Sequence, residues 1–141
     1  MISPEGVIYQ TARVNRICHH VGLISSMCLA QKRCEPAFIE AKRLLDQSDS
    51  SEDDKKVILH HWEMQKHVTE RYPSNEDSFG IEVVGKAENG IYPAPSAAQN
   101  RSSRWLVQQL LATFGIQRNR VFAHGAIGSV KNKSEARRVK F

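Results

Sequence analysis

The sequence has no run of about 18 apolar residues, the length a helix needs to cross a bilayer, so membrane insertion is not expected. Its opening, Met1-Ile2-Ser3-Pro4-Glu5-Gly6, has no basic stretch leading into an apolar core, and no signal peptide is read there. Action outside the cytoplasm would need another route. Close cysteine pairs are also missing: none of Cys18, Cys28 and Cys34 lies two to four residues from another, which excludes a zinc-finger pattern. The odd count leaves at least one thiol unpaired within a single chain. Cys28 and Cys34 can join in an oxidising compartment or stand as two unrelated buried thiols, and the thiol reading is preferred. Aromatics make up only 7% of the chain and fall mostly at core positions. With no helix-turn-helix or aromatic ribonucleoprotein string, nucleic acid is not expected as a partner.

At 141 residues the chain fits one domain, 1–141, able to bury roughly two thirds of the surface its unfolded form exposes. The formal charge of +5 is concentrated at one end. In the tail 131–141, Lys131, Lys133, Arg137, Arg138 and Lys140 stand against Glu135, five basic residues to one acid, for a net +4. Such a tail suits an anionic polymer, either nucleic acid or cell wall, and equally a solvated end.

The stretch Ser78-Phe79-Gly80-Ile81-Glu82-Val83-Val84-Gly85 reads as a central strand. Strand alternation puts Glu82 on the face of Gly80 and Val84, where desolvation would raise its pKa toward the range of a general base or acid. The competing reading is a glutamate on a solvated or edge face. Val7-Ile8-Tyr9-Gln10-Thr11 and Val121-Phe122-Ala123-His124 read as further strands, the second ending in a histidine beside Gly125. His19 and His20 lie in 15–22, a second extended piece or a loop rim, and regular strand geometry lets at most one of them point into a site.

Helices are expected from Pro36 to about Leu45 and from Lys55 to about Glu70, the second introduced by Ser51 and Asp54 in a near capping box. His60, His61 and His67 on it read as helix-surface partners rather than metal ligands. Gly85, Gly90, Pro93 and Pro95 mark a loop that could frame a substrate. A third helix opens near Ser96, carries Trp105, Leu106, Val107, Leu110, Leu111 and Phe114 as an apolar face with Trp105 in the core, and closes at Gly115.

In this order, Gly6-Val7-Ile8-Tyr9-Gln10, His20-Val21-Gly22, the 78–85 string, a long helix, and Val121-Phe122-Ala123-His124 before a lysine-rich loop resemble the zinc-dependent N-acetylmuramoyl-L-alanine amidases of the type 2 family, relatives of peptidoglycan recognition proteins. Arg71-Tyr72-Pro73 and the cysteine positions resemble a bacterial branch linked to cell-wall attack and interbacterial toxins. The resemblance spans about residues 6–135, with the 78–85 string its most specific part. It implies a mixed α/β (α+β) fold, a central mixed β-sheet flanked by helices. It also implies a hydrolase that cleaves the amide between N-acetylmuramic acid and L-alanine with zinc-activated water, acts on the cell wall, and, if a toxin, has an immunity protein as partner. Carried over residue by residue, Glu82 falls on the carboxylate that activates the water, His124 on a zinc ligand, and Glu135 near the last ligand, usually Asp or Cys, with one residue of slippage. Lys133 falls near the lysine that stabilises the oxyanion, and His20 on the substrate-cleft wall. The family's first zinc histidine precedes the segment that begins here at Met1. Relative to the family the chain is thus expected to be N-terminally incomplete and its zinc site short of a ligand, with a noncatalytic, peptidoglycan-binding descendant as the alternative and, behind it, a basic nucleic-acid binder using the 131–141 tail.

Overall fold

The computed structural model describes residues 1–129 and 134–141. Its elements are α1 (Met27–Ala30), α2 (Pro36–Gln47), α3 (Glu52–Met64), α4 (Ala97–Phe114), a 3-10 turn (Arg118–Arg120) and α5 (His124–Ile127). The chain divides into two compact units, one made of 1–18, 79–126 and 134–141, the other of 19–78 and 127–129.

The expected central mixed β-sheet is not there: among the described residues the structure is helical, and extended segments meet only at isolated bridges. In the first unit Ile2 is the meeting point, bridged antiparallel to Ile8 and parallel to Val83. Its amide donates to Glu82 O at 2.7 Å, and its carbonyl accepts from Val84 N at 2.9 Å. Pairing stops there for a local reason. The first segment turns at once, Gly6 N donating to Ser3 O at 2.9 Å, and glycines at 80 and 85 interrupt the other. Glycine in a strand adds entropy cost and no side chain to pack. A ladder with so few rungs is below the length at which strands sustain one another.

Helix α4 organises this unit. Ser96 caps it, its side chain accepting from Gln99 N while the Gln99 side chain accepts from Ser96 N, a reciprocal capping box. The same first turns collect the bridged segments: Ser96 Oγ donates to Pro4 O at 2.8 Å, Gln99 Nε2 to Val84 O at 2.8 Å, and Ser102 Oγ to Gly6 O at 2.5 Å. Gly6, at φ 86°, passes so close that a Cβ would sit 2.9 Å from Ala98 O, so only glycine fits. The helix ends as expected, with Gly115 left-handed at φ 64°. Its buried face differs from expectation. Gln99, Ser103 and Val107 are buried in steps of four, whereas Trp105 is 56% exposed. Two residues advance a helix by about 200°, so Trp105 looks away from Ser103 and Val107.

In the second unit α2 starts at Pro36, whose missing N–H costs nothing at N1. Phe38 on α2 meets Trp62 on α3 edge-on at 5.8 Å. Ser51 caps α3, accepting from Asp54 N at 3.1 Å, and Glu52, Asp53 and Asp54 complement the positive end of the helix. Helix α3 stops at Met64 rather than near Glu70. Beyond it the His67 ring nitrogen accepts from Thr69 N at 3.4 Å and bonds Thr69 Oγ1 at 2.8 Å, a local side-chain-to-backbone bond that competes with helix propagation. The core gathers Val21, Ile24, Met27, Leu45, Tyr72 and Ile127. Cys28 and Cys34 are joined in a disulfide, which overturns the preference for two thiols; the short turn from α1 to Pro36 brings their Cα atoms to 4.7 Å, within disulfide reach.

Candidate functional site

His124 opens α5 instead of ending a strand. Its Nδ1 lies 3.2 Å from Glu135 Oε1, and Gly125 N donates to Glu135 O at 3.1 Å, so the backbone closes the loop that brings the two side chains together. Both are partly shielded, at 22% and 29% side-chain exposure. The loop expected to frame a substrate helps to fix this pair. Tyr92 N donates to Ser134 Oγ at 3.3 Å and Ser134 Oγ to Gly90 O at 3.4 Å, anchoring the residue next to Glu135 on the turn made by the Glu88–Ile91 bridge.

Glu82 belongs to the same unit and is exposed. The burial argued from its strand neighbours is therefore not realised, because among the described residues no sheet face covers it. Its backbone is nonetheless fixed, its carbonyl accepting from the fully buried Ile2. Lys133 lies outside the described residues.

His20 belongs to the other unit and is half-buried. Its amide and that of Val21 both donate to Asn75 Oδ1 at 2.8 Å, and its Nε2 lies 2.9 Å from Ser78 Oγ. Ser78 gives its hydroxyl proton to Ser74 O, so the His20–Ser78 bond takes its proton from Nε2. A serine whose proton is already committed to a carbonyl is not the activated nucleophile of a Ser–His pair.

Sequence reasoning passed over two groupings in this unit. Arg71 Nη2 pairs with Asp77 Oδ2 at 2.7 Å, while Asp77 Oδ1 accepts from Ser74 N at 2.6 Å. Burial would raise the Asp77 carboxyl, but the Ser74 amide and the Arg71 guanidinium together hold it below the ordinary aspartate value. Glu63, fully buried, pairs with Lys66 at 2.5 Å. Its three-residue spacing to Lys66, just past the end of α3, is the signal that was available. His60 accepts from Ile24 N at 3.2 Å through Nδ1, and burial, aided by His61 and Arg71, pushes its pKa down.

A catalytic zinc takes three protein donors and keeps one open position. His124 and Glu135 supply a nitrogen and an oxygen, but among the described residues no group of three or more His, Cys, Asp or Glu is gathered to hold a metal. The described residues thus do not make a complete zinc site. Among them, too, no helix is long and apolar enough to cross a membrane.

The structure thus brings an imidazole and a carboxylate together in the unit that also holds the exposed Glu82. The chain belongs to the N-acetylmuramoyl-L-alanine amidase family, whose family model matches residues 1–137. Comparison with curated proteins and with solved structures gave no match.

Proposed function

We propose that the chain is directed at peptidoglycan and hydrolyses the amide between N-acetylmuramic acid and L-alanine, with Glu82 as the group that moves the proton. Family membership over residues 1–137 carries the substrate and the bond. The single structural observation that supports the assignment is the His124–Glu135 pair at 3.2 Å, in the unit that also holds Glu82. Glu82 takes a proton from the attacking water and delivers it to the leaving L-alanine nitrogen, which departs as a neutral amine. Its exposure leaves the carboxylate accessible to a bulky polymer. The resemblance gives Lys133 the part of stabilising the tetrahedral oxyanion. The resemblance assigns polarisation of the carbonyl to zinc. With two donors gathered, that step is not part of this proposal. Action on the cell wall follows from the substrate.

Binding of peptidoglycan without turnover is the second reading, favoured by the fact that His124 and Glu135 already satisfy each other. One experiment separates the two. Purified protein is incubated with sacculi, with and without added zinc, and both released stem peptides and sacculus-bound protein are measured. Release that Glu82→Gln lowers by about 100-fold or more, as for loss of a general base, supports hydrolysis. Retention on sacculi with no release by the wild-type chain supports binding alone. Release undiminished in Glu82→Gln removes the role given to Glu82.

A further inference from the structure

The two sulfurs of the Cys28–Cys34 disulfide have unlike surroundings. Cys28 Sγ lies 3.5 Å from Lys66 Nζ and 3.3 Å from Ser26 Oγ. The Lys66 ammonium is itself held in place, paired with Glu63 at 2.5 Å and seated 4.0 Å over the ring of Phe38. Glu63 is fully buried, and its Oε2 has no hydrogen-bond partner among the described residues, so its side chain is held through Lys66. Among the described residues Cys34 Sγ has no cation or hydroxyl bonded to it. Both cysteines are half-buried, and so within reach of a small thiol.

A fixed ammonium beside a sulfur stabilises the thiolate, and in thiol–disulfide exchange the sulfur that departs as the more stable thiolate leaves faster. We propose that this disulfide is a polarised thiol-exchange site at which small thiols of the glutathione class modify Cys34. The external thiolate attacks Cys34 Sγ and a new S–S bond forms. The Cys28–Cys34 bond breaks, and its electron pair leaves on Cys28 as a thiolate held by Lys66 and Ser26. A second thiol then attacks the external sulfur of the mixed disulfide and releases Cys34 as a thiolate. The two thiols leave joined as a disulfide, having supplied the two electrons. Because Lys66 stabilises the reduced form, it shifts the equilibrium toward the dithiol. The site stands apart from amide hydrolysis and does not depend on it.

The test equilibrates the oxidised full chain in glutathione buffers of graded reduced-to-oxidised ratio, quenches it in acid, alkylates free thiols and locates each modification by mass spectrometry. Samples quenched before equilibrium is reached should carry glutathione on Cys34 and alkylation on Cys28. Half-reduction of Lys66→Gln should need a ratio of squared reduced to oxidised glutathione about tenfold higher than the wild type, about 30 mV for this two-electron couple, while Lys66→Arg, which keeps the charge, stays near the wild type. Glutathione found on Cys28, or the same midpoint in Lys66→Gln, overturns the proposal. If Lys66→Gln does not fold, Glu63→Gln decides. Removing the carboxylate that competes for Lys66 should make the disulfide easier to reduce, and an unchanged or harder reduction overturns the proposal.

Discussion

The two units solve the problem of a small core in different ways. The unit around α4 is held by backbone: Ile2 links segments on either side of it, and serine and glutamine side chains in the first turns of the helix accept or donate to main-chain groups. The unit that contains α2 and α3 is held by charge and a cross-link, with Glu63 and Arg71 buried, each beside a partner of opposite sign, and Cys28 joined to Cys34. A backbone bridge is worth a modest net amount, but it fixes position closely. A buried ion pair adds little net stability while it is intact and costs heavily when one partner is removed. The first arrangement suits the unit that presents Glu82, His124 and Glu135, where placement matters. The second makes its unit sensitive to loss of a partner, to pH and to thiols.

The largest effect should come from removing Arg71. Arg71→Gln removes a buried guanidinium that binds both the Asp77 carboxylate and Tyr72 O; with Asp77 itself exposed, the lost pair and the lost buried hydrogen bond together cost about 3 kcal/mol or slightly more. Chemical denaturation measures the loss, and amide exchange should rise first at Ser74, whose N–H donates to Asp77. If amides in 1–18 lose protection as early as those in 71–78, the contrast between the two units fails.

Next in size is Ile2→Ala, which removes a fully buried side chain at a cost of about 3 kcal/mol. Its backbone bonds to Glu82 and Val84 can survive. The expected outcome is therefore a lower denaturation midpoint with hydrolysis of sacculi largely kept at temperatures where the chain stays folded. Loss of hydrolysis in a folded Ile2→Ala chain would show that side-chain packing, and not the backbone bridge alone, places Glu82.

What could be read in advance follows from range. Helix starts and stops are written within four residues of one another, so Pro36, Ser51, Ser96 and Gly115 were legible as boundaries. Strands need partners far away in sequence, and the apolar alternation of 78–85 says nothing about whether its neighbour continues. Here the neighbour turns at Gly6, so the string makes one bridge and Glu82 stays exposed. The same gap explains Trp105. An apolar stripe defines a helix but not which side of it other segments will cover, and the covered side follows Gln99, Ser103 and Val107. At the candidate site, the proximity of His124 and Glu135 was suggested by family resemblance, whereas the Glu63–Lys66–Cys28 grouping joins α3 to α1 and leaves no motif in the sequence.

The smallest expected effect is the pH response of His60, since its ring is only half-buried. Burial first, then His61 and Arg71, lowers its pKa below the ordinary 6.5, and the neutral ring accepts the Ile24 amide proton at Nδ1. The unfolded chain therefore takes up a proton at a higher pH than the folded one. It follows that stability is full above about pH 6.5 and declines as pH falls from there toward the lowered folded value, because protons favour the unfolded state. The chain has five other histidines, so the informative quantity is a difference between chains. Glutamine at position 60 can accept from Ile24 through its carbonyl without gaining charge. Between pH 7.5 and 5.5, His60→Gln should lose less of its denaturation midpoint than the wild type, and exchange at the Ile24 amide should depend less on pH. Equal losses in both chains would move the pH sensitivity of this unit away from His60 and onto the neighbouring ion pairs.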